Sequence, residues 1–375
     1  MTPELLVSVQ GGAKICVPDN LANATTYVLL EQERWFEDEV GFLRACLAPG
    51  QCAVDVGANL GVFTTVLAAG VGATGKVLAF EPTGASAALL ERTLTANDLS
   101  HAHVIRAALS DRAGRGLLEI GDTPELNALT EAATAGRETE AVDLLTLDDA
   151  LGDHGVAEVD FLKIDAEGAE YRVGLGARRM LENSEPLVLF EIRHGGAPRF
   201  ELFELLGSLG LDPYRLVPGL DLLVPFTRDE PLDDYQLNLF ACAPGRAQML
   251  HQDGLLALAG PPSDVQPVLE DEAAEYLQSL PGARGPTVAN DPYGRALIHY
   301  ALLQTANLPP AGQVAHLTSA LNLAGQAFRE RGSVPRLLTY ARVAADGGRR
   351  RLAVDLLSAL TNALESGANA VLDEP

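Results

Sequence analysis

Four carboxylates stand in or at the end of short apolar runs: Asp55 within 52–56, Glu81 after 76–80, Asp165 after 161–164 and Glu191 after 187–190. Runs of that length and composition read as buried strands. An acid at the carboxyl end of such a strand sits where doubly wound sheets bind their ligands. Carboxylates there can hold a cation, accept hydrogen bonds from hydroxyl groups, or take a proton from a reacting group.

The turn that follows Asp55 reads Asp55-Val56-Gly57-Ala58-Asn59-Leu60-Gly61, an Asp-x-Gly-x-Asn-x-Gly pattern between a strand and a helix. Gly57 lets the backbone approach a ligand closely, and the helix opening near Leu60 aims its N-terminus at the same place. A dinucleotide turn wants Gly-x-Gly-x-x-Gly and room for a pyrophosphate, which an acid two residues before the first glycine would repel. The same acid suits a cationic ligand with an amino acid end, and S-adenosylmethionine carries both a sulfonium and an ammonium group. Glu81, 26 positions after Asp55, is then placed to accept the ribose hydroxyls. The turn Asp55, Gly57, Asn59, Gly61 and the acid Glu81 are therefore the cofactor candidates. After a strand over 104–108, Ala108, Leu109 and Asp111 are candidates for flanking an adenine ring. The plainer alternative makes Asp55 a turn cap and Glu81 a surface acid before Pro82.

Residues 160–170 place Asp165, Glu167 and Glu170 within six positions, with Lys163 on the same strand face as Asp165. If Asp55, Asp165 and Glu191 occupy neighbouring strand tips, they need positive compensation from Lys163, the sulfonium or a divalent ion. Asp165 is the leading candidate to orient an acceptor hydroxyl and take its proton, with Glu191 and His194 behind it. No metal site is predicted, although Asp165 and Glu191 are the pair that would hold an ion. The simpler roles are an N-cap for Asp165, a first-turn acid for Glu167 and a solvent-exposed loop position for His194.

These side chains need a scaffold. Apolar runs around Gly11-Gly12 predict a hairpin over 5–18, and apolar spacing predicts a helix over 31–47. Trp35 and Phe36 read as core residues of that helix, with a roof over the cofactor cleft as the alternative. Further expectations are a helix over 86–96, a hairpin or mobile loop within 111–140, and a strand end and helix start over 142–151. Next come a helix over 202–209, a hairpin over 214–224 and a closing strand over 234–242. Beyond residue 245 only helical patterns follow, near 268–280, 293–306, 311–331, 334–346 and 349–365. The last two have the small-residue spacing of a tetratricopeptide-like hairpin without that repeat's aromatic positions. The chain thus divides into an N-terminal hairpin and helix (1–50), a cofactor-binding domain (51–245) and a helical module (246–375), for which dimerisation or acceptor docking are the candidate tasks.

Composition narrows the partners. The net charge of −24 is concentrated before residue 246, where 17 basic side chains face 38 acidic ones, against 10 and 13 afterwards. So acidic a surface repels phosphate backbones and anionic membranes, which leaves a small-molecule or glycan acceptor. The four cysteines form neither a Cys-x-x-Cys pair nor a metal spacing, and no apolar run is long enough to span a bilayer. With no basic, apolar leader, a soluble cytoplasmic protein is expected.

The stretches 54–61, 80–82, 107–111 and 161–170, with the strand ending in Glu191, resemble the FkbM family of S-adenosylmethionine-dependent methyltransferases over roughly residues 40–245. The resemblance implies an α/β class I methyltransferase fold, Rossmann-like, with a mostly parallel seven-stranded sheet. It implies methylation of a hydroxyl on a sugar or natural product. It puts Asp55, Gly57, Asn59 and Glu81 on the cofactor and Asp165 near the transferred methyl, and is silent on the helical tail. The competing readings are a Rossmann-type oxidoreductase and a non-catalytic cofactor-binding scaffold or sensor.

Overall fold

A computed structural model describes residues 3–121, 127–130, 136–193, 196–258, 291–305 and 307–366. The chain divides into two units, Met1–Tyr214 with Leu237–Ala247, and Arg215–Gln236 with Gln248–Pro375. Residues 215–236, which the sequence places with the cofactor domain, thus cluster with the helical tail.

The first unit opens with the expected hairpin, β1 (Glu4–Ser8) paired antiparallel to β2 (Lys14–Pro18). Its central strands are β3 (Cys52–Val56), β4 (Lys76–Phe80), β5 (Ala102–Ile105), β10 (Phe161–Ile164), β11 (Leu187–Glu191), β12 (Asp212–Val217) and β14 (Asn238–Cys242). They lie in the order β12-β14-β11-β10-β3-β4-β5, parallel from β11 to β5, with β14 antiparallel to both β11 and β12. An eighth strand, β13 (Leu222–Pro225), follows β12 in the sheet order where the chain passes into the second unit. This is the α/β class I methyltransferase architecture the sequence points to, one strand wider than expected.

The middle strands are apolar because both faces are covered: Ala53 to Val56 and Phe161 to Ile164 are buried without interruption. Chain order reverses between β3 and β10, which makes their carboxyl ends the switch point of the sheet.

Three elements differ from the sequence reading. The strand expected over 104–108 ends at Ile105, and Ala108–Leu109 (β6) instead joins a separate sheet. That sheet has the order β6-β9-β7-β8, where β7 is Gly114–Glu119, β8 is Ala128–Thr130 and β9 is Thr139–Leu145. The helix expected over 31–47 is two helices, Ala24–Gln32 and Glu39–Cys46. Glu33 adopts a left-handed conformation (φ 55°) and stops the first, so residues 33–38 form an irregular crossing.

In the second unit, helices Pro292–Thr305, Pro310–Glu330, Val334–Asp346 and Arg350–Glu365 follow the expected boundaries closely. The pattern near 268–280 lies outside the described residues. Val217, Leu222 and Val224 pack with Leu317, Ala320 and Val343 in one apolar cluster, which explains why 215–236 belongs here. Among the described residues no helix is long and apolar enough to cross a membrane.

Candidate functional site

A cleft of about 340 Å³ opens at the switch point, and Gly57, Asn59, Glu81, Ala108, Leu109, Asp165 and Glu191 all line it. The glycine turn forms its floor. Gly57 has φ +77°, and a Cβ built there would stand 1.7 Å from the carbonyl oxygen of Asp165, so the close approach of the β3 and β10 tips requires glycine. The Gly57 and Ala58 amides both donate to Phe80 O at 3.0 Å, and Gly61 N donates to Ala58 O at 2.9 Å. Amides spent within the turn are not offered to a pyrophosphate, which argues against a dinucleotide site.

Asn59, also left-handed (φ 48°), donates its amide to Glu81 Oε2 at 2.9 Å. Glu81 Oε1 accepts from the Thr83 amide at 2.8 Å. Burial pushes the Glu81 carboxyl up from its ordinary value, and those N–H groups pull against the shift. Glu81 still lines the cleft at the β4 tip, and a carboxylate oxygen can accept more than one hydrogen bond.

Lys163 supplies the compensation that the neighbouring strand tips need. Its Nζ lies 2.8 Å from Asp165 Oδ2 and 3.7 Å from Asp55 Oδ1, and 4.9 Å from the Phe63 ring centroid. Burial alone would lower the Lys163 ammonium, but the Asp165 and Asp55 carboxylates hold it above its ordinary value. Asp55 is fully buried and accepts from Thr64 Oγ1 at 2.6 Å, and burial raises its carboxyl. It stands beneath the floor and is not among the cleft-lining residues, because its position on β3 turns it toward helix Val62–Val71.

Glu191 ends β11 with its Oε2 buried and without a hydrogen-bond partner. Burial and then the charges of Asp165, Glu167 and Glu170 push its carboxyl up to about 9. The shift favours the protonated form, in which Glu191 can donate a hydrogen bond. The irregular crossing supplies the opposite wall with Trp35, Phe36 and Glu37. Trp35 and Phe36 are thus cleft residues rather than the core of a helix, with ring centroids 4.7 Å apart. Glu37 accepts from Trp35 Nε1 at 2.8 Å and from Asn238 Nδ2 at 2.7 Å. Burial, then Glu39 and Asp165, push it up to about 7.

Residues 55–209 match the family model of the methyltransferase FkbM domain. That stretch is similar to FkbM methyltransferase domains. Over 150 residues the chain is 33% identical to Methyltransferase sdnD of Sordaria araneosa, a match covering 32% of this chain and 58% of that protein. The chain thus spans little more than half of that curated relative. Among solved structures, Methyltransferase FkbM from Methylobacillus flagellatus is 17% identical with a TM-score of 0.37, over 60% of this chain and 56% of that one. A SAM-dependent O-methyltransferase from Thermotoga maritima is 15% identical with a TM-score of 0.31, over 64% and 78%.

The geometry of the cleft fits S-adenosylmethionine. Asn59 Oδ1 is a buried acceptor without a partner in the cleft wall, and Glu81 presents carboxylate oxygens at the β4 tip. Gly61 acts from below, as the left-handed residue (φ +93°) before helix Val62–Val71. Asp111 is exposed, accepts from Ser110 Oγ at 3.0 Å and does not line the cleft, because the turn after β6 points away. His194 lies outside the described residues. No group of three or more His, Cys, Asp or Glu side chains placed to hold a metal occurs among the described residues. Glu37 went unnoticed in sequence because the apolar spacing of 35–47 reads as one helix. The cap signal was there at Asn23, whose Oδ1 accepts from Thr26 N at 2.8 Å to start helix Ala24–Gln32.

Proposed function

We propose that this chain is an S-adenosylmethionine-dependent methyltransferase acting on a hydroxyl of a sugar or natural-product acceptor. The observation that carries the reading is the pairing, across the switch point, of the Asn59–Glu81 wall with Asp165 fixed by Lys163. When bound, the cofactor supplies a methyl group on a sulfonium sulfur and leaves as a neutral thioether.

The chain's own residues supply positioning and one proton acceptor. Glu81 and Asn59 fix the ribose and its surroundings through lone pairs that face the cleft. Lys163 holds Asp165 by Oδ2, leaving Oδ1 to accept a hydrogen bond from the acceptor hydroxyl. As the new carbon–oxygen bond forms, the hydroxyl proton passes to that carboxylate. Held in line, such groups contribute mainly through orientation, which is worth several orders of magnitude in rate. Glu191, protonated, donates to an acceptor oxygen, while Trp35 and Phe36 cover the cleft and keep water from competing.

Calorimetric titration with S-adenosylhomocysteine tests the first half of the reading. Micromolar binding that Gly57→Ala abolishes supports it, and absence of binding by the wild type removes it. The second half is tested by offering hydroxyl acceptors and following thioether release. Asp165→Asn with full turnover and intact cofactor affinity would eliminate Asp165 as the proton acceptor.

A further inference from the structure

The cleft has two halves. Gly57, Asn59 and Glu81 mark the tips of β3 and β4 as the nucleotide side, as the reading under Proposed function has it. What remains lies over the ends of β10 and β11 and the start of β14, beside Asp165, Glu191 and Leu237, and this half is left for the acceptor. Its facing wall is Trp35, Phe36 and Glu37.

Glu37 is held firmly for a residue in an irregular segment. Trp35 Nε1 and Asn238 Nδ2 donate to its two oxygens at 2.8 and 2.7 Å, and Asn238 Nδ2 also reaches Glu39 Oε1 at 3.2 Å. Asn238 is the cross-strand partner of Glu191, so the two share a face of the sheet. The chain Glu37–Asn238–Glu191 therefore ties the crossing segment to the strand tips. An indole N–H and an amide NH₂ are donors only, so both favour a carboxylate that accepts over one that donates. The nearby charges are Glu39, Asp165 and Lys163, and Lys163 is already shared between Asp55 and Asp165.

We propose that Glu37 is the specificity residue of the acceptor half: its fixed carboxylate favours positive charge at the point of transfer and turns away anionic acceptors. Neutral or amine-bearing hydroxyl compounds are then the substrate class. The proposal rests on the methyltransferase reading and deepens it.

Sinefungin and S-adenosylhomocysteine probe this without knowledge of the acceptor. Sinefungin carries a primary ammonium where the cofactor carries its methyl sulfonium; the thioether is neutral there. Their affinities are measured by calorimetry at low salt and pH 8, above the value of about 7 to which Glu37 is raised, for the wild type, Glu37→Gln and the charge-conserving Glu37→Asp. A carboxylate lining the cleft that takes the ammonium predicts a preference for sinefungin of about tenfold or more, cut about fivefold or more in Glu37→Gln. Glu37→Asp retains most of it. In the wild type the preference shrinks between about 20 and 500 mM salt, since the Debye length contracts. A purely structural role lowers both affinities together and leaves their ratio unchanged, which overturns the proposal. So does a wild type that binds the thioether without preferring sinefungin, or a preference insensitive to salt should Glu37→Gln not fold. Failure of the wild type to bind S-adenosylhomocysteine is a different result, because it removes the methyltransferase reading before any variant is compared.

Discussion

Lys163 Nζ lies 2.8 Å from Asp165 Oδ2, joining the penultimate residue of β10 to the residue just beyond its tip, and it reaches Asp55 on the neighbouring strand as well. One buried ammonium thus serves two carboxylates. Lys163→Met keeps much of the volume but leaves Asp55 and Asp165 uncompensated. Removing one partner of a buried pair costs about 3–5 kcal/mol, and urea unfolding of the variant should show a loss of that order.

Gly57→Ala meets two obstacles at once, a positive φ and a Cβ 1.7 Å from backbone oxygen. Backbone cannot swing aside as a flexible side chain does, so the β3 and β10 tips must separate. The expected result is loss of S-adenosylhomocysteine binding by at least about tenfold, read by calorimetry, with strain costing about 1–3 kcal/mol in thermal stability.

The two raised carboxyls give stability a pH slope. Folding lifts Glu37 to about 7 and Glu191 to about 9 from an ordinary 4.5, so the folded protein keeps protons that the unfolded chain releases. The stability these protons confer is complete below about 4.5 and is lost as pH rises, through about 7 for Glu37 and about 9 for Glu191. Denaturation midpoints should therefore fall from pH 5 to pH 9. Glu191→Gln, which keeps a neutral isostere, should flatten the upper part of that fall.

The helical unit should respond in the opposite sense. His299 Nδ1 and His316 Nδ1 are 2.9 Å apart and buried, and burial, His316 and Arg295 lower His299 from 6.5 to about 4. Its neutral form is favoured by folding, so the stability it confers is present above 6.5 and lost as pH falls toward 4. Hydrogen exchange on the full chain should show residues 292–330 opening more readily at pH 4.5 than at pH 7, and less so in His299→Gln.

Trp35 is the single tryptophan of the chain and lines the cleft. Intrinsic fluorescence should therefore change on titration with S-adenosylhomocysteine, and the change should vanish in Trp35→Phe while calorimetry still registers binding.

The side of the cleft lined by Gly57, Asn59 and Glu81 was legible in sequence as a strand-tip cluster because it depends on local chemistry. Gly57, Asn59 and Glu81 lie in contiguous turns whose residue types follow from backbone geometry, and Lys163 and Asp165 share a strand face by simple alternation. For Asp55 the pattern names its strand but not which layer its side chain enters, and its bond from Thr64 lies on another element. The wall carrying Trp35, Phe36 and Glu37 was not legible. It arises where a left-handed Glu33 breaks an apolar period that otherwise runs on, and where Asn238, 201 residues further along the chain, catches Glu37. No local window contains that pairing.

The crossing that carries Trp35, Phe36 and Glu37 precedes residue 55, where the match to the FkbM domain begins. The two sides of one cleft are therefore written in different stretches of chain. Grafting residues 24–38 from one relative onto another would transplant one wall of the cleft while leaving the glycine turn of the host untouched.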